Sequence, residues 1–304
     1  MRLTMEEFLR IVNFRRGQEL RLGVVQGESV FDLQELSAAA GKTPGFFLSA
    51  GEFLNAGAEA LDFARSLAAG IPAGFASLAL KALELGPPVP KPSKIIAVGL
   101  NYRDHAGEAN FKVPEYPLIF AKFPNSVAGP HDAIVIPSEE MQVDSEAELA
   151  VVIGRRGKAI RADEAFDYVA GYMALNDVSA RKWQFADKQW TRGKSCDTFC
   201  PTGPWLTTRD EIADPHKLRV IGRVNGEVFQ DSNTAKLIFG VPELIAFISE
   251  AITLEPGDII ATGTPSGVGV FRHPPVFMKA GDVAEVEIEG LGVLRNAAVG
   301  AGRS

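Results

Sequence analysis

Three acidic residues alternate in Val143-Asp144-Ser145-Glu146-Ala147-Glu148, immediately before the apolar run Leu149 to Ile153. On an extended strand, residues i and i+2 face the same way, so Asp144, Glu146 and Glu148 are expected to line one face. A strand that continues into so apolar a run is expected to be central and buried, where adjacent ionised carboxylates repel each other and lose hydration. Such groups shift their pKa, pair with cations or bind a metal. A solvated acidic edge is the other reading of the same pattern.

Asn176-Asp177-Val178-Ser179-Ala180-Arg181-Lys182-Trp183-Gln184 offers a partner for that face. A helix starting near Asp177 would place Asp177, Arg181 and Gln184 on one stripe, a hard oxygen ligand beside a guanidinium fork and an amide. That set suits an anionic, metal-chelated substrate; the alternative is Asp177 as a helix cap with Arg181 as its surface ion pair. In Asn101-Tyr102-Arg103-Asp104-His105-Ala106-Gly107-Glu108, His105 and Glu108 stand about one helical turn apart, either as a base with its orienting carboxylate or as an ordinary surface pair. Arg192-Gly193-Lys194-Ser195 ends like a phosphate loop, but Lys188 stands where that motif needs its first glycine. Thr262-Gly263-Thr264-Pro265-Ser266-Gly267 offers hydroxyls and close backbone approach to a small polar ligand, or simply a tight turn. The two cysteines, Cys196 and Cys200, lack the companions of a zinc site and read as reduced structural thiols.

The elements that must hold these groups follow from punctuation and pattern. The prolines of Gly86-Pro87-Pro88-Val89-Pro90-Lys91-Pro92 forbid helix and set a boundary between a small N-terminal α+β domain (1–90) and a catalytic domain (91–304). Before it, residues 22–25 and 29–33 read as a hairpin. After it, short β-prone runs at 94–98, 118–123, 133–136, 149–153, 218–224, 258–261 and 283–288 are separated by turn residues, with helical patterns at 180–190 and 242–252. The predicted fold class is mainly β with α. With 304 residues, 46% of them apolar, there is ample material for a core. Lys and Arg number 31 against 38 Asp and Glu, a net charge of −7 that gives no basic footprint for nucleic acid. No apolar run approaches the ~20 residues of a membrane span. The acidic start of the chain is unlike a signal peptide, so a cytoplasmic protein acting on a small molecule is expected.

Taken in order, Gly99-Leu100-Asn101-Tyr102 with His105 and Glu108, Glu146-Ala147-Glu148 with its apolar run to Gly154, Asn176 to Arg181, Gly193-Lys194-Ser195, and Thr262 to Val268 resemble the fumarylacetoacetate hydrolase family over about residues 94–300. The resemblance implies a mixed β-roll catalytic domain with Mg²⁺ or Mn²⁺, a β-diketo acid, acylpyruvate or related α-keto acid as substrate, and a homodimer as the assembly. By motif position Glu146, Glu148 and Asp177 match the family's metal ligands, an all-oxygen set suited to a hard cation. Arg181, Gln184, Thr264 and Lys122 match substrate-holding positions, Lys194 a charge-bearing catalytic one, and His105 with Glu108 the water-activating dyad. The founding enzyme has a fourth carboxylate ligand on the strand before the histidine, where this chain reads Ile95-Ile96-Ala97-Val98. The chain therefore resembles the broader branch of hydrolases, decarboxylases, isomerases and lyases.

The reaction expected first is hydrolysis of a C–C bond. The metal chelates the keto acid, Arg181, Gln184 and Thr264 set its pose, His105 oriented by Glu108 activates water, and Lys194 with the metal takes up the charge of the departing enolate. An oxaloacetate-type decarboxylase and a 2-hydroxy-dienoate isomerase use the same constellation, and a keto-acid-binding protein without turnover is the non-enzymatic alternative. The distal pocket is expected from residues 111–116 and 272–276.

Overall fold

The run Leu149 to Ile153 is apolar at every position because the strand that carries it is covered on both faces. The structure, a computed structural model, describes residues 9–108 and 112–302, and the side chains of residues 105–107 lie outside that description. Strand Ala147–Ile153 runs antiparallel to both its neighbours, Val169–Asn176 and Ile259–Ala261. Ala150 and Val152 share one apolar cluster with Phe53 and Leu54 of helix Ala50–Ala56 and with Ala60 and Ala64 of helix Ala58–Ala69. Leu149, Val151 and Ile153 share another with Leu244, Ile245 and Ile248 of helix Val241–Ala251. Each buried Val, Leu or Ile contributes about 1.5–3 kcal/mol, and a one-residue slip would misplace all of them. The register is therefore firm, and with it the direction in which Glu148 points.

The main sheet runs in the order Leu78–Ala79, Ser29–Asp32, Glu19–Gln26, Arg10–Arg16, Cys200–Thr208, Val169–Asn176, Ala147–Ile153, Ile259–Ala261, Ile95–Gly99, Leu118–Lys122. The hairpin expected near 22–33 is formed by Glu19–Gln26 and Ser29–Asp32. Arg10–Arg16 pairs with Cys200–Thr208 through Arg10↔Thr207 and Ile11↔Leu206, so the N-terminal strands extend the same sheet that carries the acidic residues. A second sheet, Glu227–Asn233, Arg219–Val224, Val283–Ile288, Gly292–Gly300, Ile134–Ile136, contributes Val220, Val286 and Leu294 to the cluster on the far face. The fold is mainly β with α. No helix among the described residues is long and apolar enough to cross a membrane.

Two local expectations are corrected. Residues 144–148 do not form one strand: Val143–Asp144 pairs with Ser179–Ala180 in a small separate sheet, and pairing resumes only at Ala147. Asn176 fills the break, its Oδ1 accepting from Glu146 N at 3.0 Å and Ser145 Oγ at 3.1 Å. The helix expected over 180–190 is instead two short ones, Arg181–Ala186 and Thr191–Lys194, with Lys188 between them at φ 63°. Gly193 permits the fold-back, since a Cβ there would stand 2.7 Å from Gln184 N and 2.9 Å from Ala180 O. Packed this closely, the second helix delivers Lys194 to the acidic cluster.

Candidate active site

Glu146 enters the site from the break between the two strands, Glu148 from the start of Ala147–Ile153, and Asp177 from the turn after Val169–Asn176. Asp177 N donates to Glu146 O at 2.9 Å, which ties the two turns together. One carboxylate oxygen from each residue lies within 4.8 Å of the others, and all three side chains are buried. Asp144 stands apart from this group. Its Oδ1 accepts from Ser145 N and Gly269 N at 2.9 Å each, and its Oδ2 from Val270 N at 3.0 Å and Arg181 Nη2 at 2.7 Å. Asp144 is thus an anchor for the 269–270 turn and for the guanidinium.

Three buried cations answer the carboxylates. Lys194 Nζ donates to Glu146 Oε2 at 2.6 Å and to Asp177 Oδ2 at 2.8 Å. Burial works to lower its pKa, but Asp177 and Glu146 outweigh that and hold the ammonium above its ordinary range. Arg181 Nη2 lies 2.7 Å from Glu146 Oε1, and Nη1 donates to Gln184 Oε1 at 2.9 Å. The expected helical stripe of Asp177, Arg181 and Gln184 does not exist, because Asp177 precedes strand Ser179–Ala180 and the helix begins at Arg181. Those side chains nonetheless converge around Glu146. Lys122 is placed differently from its expected substrate contact: it sits behind Asp177, donating to Oδ1 at 2.6 Å, to Val178 O at 3.4 Å and to Lys194 O. Its three hydrogens are committed there.

Glu148 makes no direct ion pair among the described residues, although the Lys194 charge acts on it from nearby, and it accepts from Gly263 N at 2.8 Å. Burial first, then the charges of Asp177 and Glu146, push its carboxyl well above the usual carboxylate range. A divalent cation fits this arrangement, since it would supply the missing positive charge to three convergent hard oxygen donors.

A cavity of about 150 Å³ opens onto the triad, walled also by Arg181, Gln184, Lys194 and Thr264 and by Phe120, Phe185, Trp190 and Phe271. The four aromatic walls were missed in the sequence, where they carry no spacing signal. Among the described residues neither 112–116 nor 272–276 lines the cavity, which corrects the expected distal pocket; residue 111 lies outside the description. Thr264 is placed at the cavity, but its hydroxyl donates to Ala147 O at 3.0 Å and accepts from Gln230 Nε2 at 2.7 Å. Its hydroxyl hydrogen therefore serves the fold. His105 lies on helix Arg103–Glu108, and its side chain is outside the description. That helix leans on the 264–267 loop: both Glu108 oxygens accept from Gly267 N at 3.1 Å, and Asp104 Oδ2 accepts from Ser232 Oγ and Lys236 Nζ at 2.9 Å each.

Residues 94–299 match the family model described as fumarylacetoacetate (FAA) hydrolase C-terminal. The chain belongs to the fumarylacetoacetate hydrolase family. It is 48% identical over 297 residues to a Rattus norvegicus protein named oxaloacetate tautomerase Fahd2a, mitochondrial, with 96% of this chain and 92% of that one covered. Among solved structures it is similar to 2-hydroxyhepta-2,4-diene-1,7-dioate isomerase from Mycobacterium marinum, at 32% identity and TM-score 0.74, over 97% of this chain and all of that one. It is similar also to maleylpyruvate hydrolase from Sphingobium sp. SYK-6, in complex with manganese(II) and pyruvate, at 32% identity and TM-score 0.78 over the same shares. These family relatives are enzymes of three reaction types. The expectation of a cytoplasmic protein does not stand, because a relative this similar carries a mitochondrial name.

Proposed function

We propose that the protein catalyses keto–enol tautomerisation of an oxaloacetate-type 2-oxo acid, with Mg²⁺ or Mn²⁺ held by Glu146, Glu148 and Asp177. The carrying observation is the buried carboxylate triad with the Lys194 ammonium beside it on the wall of one small cavity. Similarity to the oxaloacetate tautomerase over almost the whole chain favours this reaction over the C–C hydrolysis expected first. When bound, the cation supplies Lewis-acid polarisation of the 2-oxo acid. Ionised, the buried acids Asp144, Glu146, Glu148 and Asp177 exceed the buried cations Lys122, Arg181 and Lys194 by one charge. A divalent ion turns that excess positive, the sign that an anionic substrate requires.

The chain's own groups divide the remaining work. Lys194, with two hydrogens engaged by Glu146 and Asp177, directs its third at the oxygen that becomes an enolate. Arg181 holds Gln184 Oε1, which leaves the Gln184 amide hydrogens for the substrate carboxylate. His105 carries the proton to and from C3, and Glu108, anchored on Gly267, orients it. Enol-oxaloacetate mixed with protein and Mn²⁺ or Mg²⁺ tests this by loss of enol absorbance. Faster ketonisation without release of CO₂ or pyruvate is expected, and an unchanged rate overturns the reading.

A second reading, hydrolysis of an acylpyruvate, is favoured by the similarity to maleylpyruvate hydrolase. Stoichiometric pyruvate from acylpyruvates, with no effect on enol-oxaloacetate, would establish it in place of the first.

A further inference from the structure

The cavity wall carries two unlike sets of side chains. Glu146, Glu148, Asp177, Arg181 and Lys194 cluster together, and the wall also includes Phe120, Phe185, Trp190 and Phe271. Phe120 marks the join, because Lys194 Nζ lies 5.4 Å over its ring while Trp190 meets it edge-to-face, with centroids 5.3 Å apart and planes at 71°. Gly99 seats the indole: a Cβ there would stand 2.4 Å from Trp190 Cζ3. Phe185 closes the set at the rim, where it is 56% exposed, an apolar ring that a ligand's tail would cover.

We propose that the aromatic residues of the wall take the tail of a 3-aryl-2-oxo acid, so that the protein also ketonises arylpyruvate enols; this rests on the tautomerase reading. Among the described lining residues the cations are Arg181 and Lys194, both engaged with carboxylates. A flat apolar tail carried on the 2-oxo acid stacks on the aromatic rings of the wall. The chemistry needs no further reactant. The O–H bond of the enol at C2 breaks, a C–H bond forms at C3, and the proton passes through the same site. The aryl group is carried on C3, next to the reacting bond, and Phe120 lies next to Lys194, the group assigned to the enolate oxygen.

The test compares enol-phenylpyruvate with enol-oxaloacetate as kcat/KM in the Mn²⁺-loaded protein, for the parent, Phe185→Ala and Trp190→Leu. Both enols are expected to be accelerated, and each substitution to lower the phenylpyruvate-to-oxaloacetate ratio by about tenfold, the size of a lost ring–ring contact with its buried area. Phe185 is largely exposed, so its variant retains the fold, and the ratio corrects for any general loss of activity in Trp190→Leu. Acceleration of enol-oxaloacetate alone overturns the aryl assignment and leaves the tautomerase reading intact. Acceleration of neither overturns both. A phenylpyruvate activity whose ratio ignores both substitutions removes the aromatic wall from substrate choice and overturns the proposal.

Discussion

Replacing Lys122 with Met tests how the charged cluster is held. The ammonium is fully buried and pairs with Asp177 Oδ1 at 2.6 Å while also donating to Val178 O and Lys194 O. Methionine fills similar volume but leaves one carboxylate oxygen and two carbonyls without their donor. Breaking a buried pair by removing one partner costs about 3–5 kcal/mol. The lower end applies here, because Asp177 Oδ2 keeps its bond to Lys194. Urea unfolding of the metal-free protein, followed by circular dichroism, is expected to show a loss of about 3 kcal/mol. Mn²⁺ at a hundred times its Kd adds about 2.7 kcal/mol, enough to recover most of that loss relative to the metal-free parent. A difference below about 1 kcal/mol, the size of an exposed pair, would refute the view that Lys122 is a buried structural counter-charge.

Three further outcomes are expected. Glu148 has a raised folded-state pKa, so in the metal-free protein its contribution to stability is fully present below the ordinary carboxylate value and is lost as pH rises through the raised one. A cation needs the ionised carboxylate, so Mn²⁺ binding should release a proton in that window and weaken as pH falls; calorimetry in buffers of different ionisation heat that finds no release would remove Glu148 from the ligands. His105→Ala should lower kcat by about 10²–10⁴-fold with Mn²⁺ affinity retained, since it removes the proton carrier only; unchanged turnover would end that assignment. Gly193→Ala forces a Cβ to within 2.7 Å of Gln184 N, so it should destabilise by about 1–3 kcal/mol and cut activity by displacing Lys194; a fully active, equally stable variant would show that the helix approach is not needed.

Much of the site was legible because its chemistry is written in residue type. Glu146, Glu148 and Asp177 advertise themselves as acids beside apolar runs, and the structure brings these three together. What the sequence could not show was how they meet. Asp144 has the same spacing as the others yet is consumed by backbone amides and Arg181, a fate set by the distant 269–270 turn. Asn176 and Gln230 hold the site through side-chain bonds to backbone and to Thr264, and polar residues in strands give no signal of such duty. Gly193 was read as a failed phosphate loop, whereas its task is close packing of two short helices. The β-rich fold followed from alternation and turns, which are local; the strand order depends on contacts that no local pattern records.

The parallel pairing of Ile259–Ala261 with Ile95–Gly99 sets a timetable for the chain. When residues up to Asp177 have left the ribosome, all three candidate ligands exist and strand Ala147–Ile153 can pair with Val169–Asn176. Its other edge, however, must wait for Ile259–Ala261, and Glu148 for the amide of Gly263. Until then the edge of that strand's apolar run, Leu149 to Ile153, is bare, the kind of surface that recruits other chains. A truncated protein ending before residue 258 would carry every candidate ligand and still present that edge, so its expected fate is aggregation rather than metal binding.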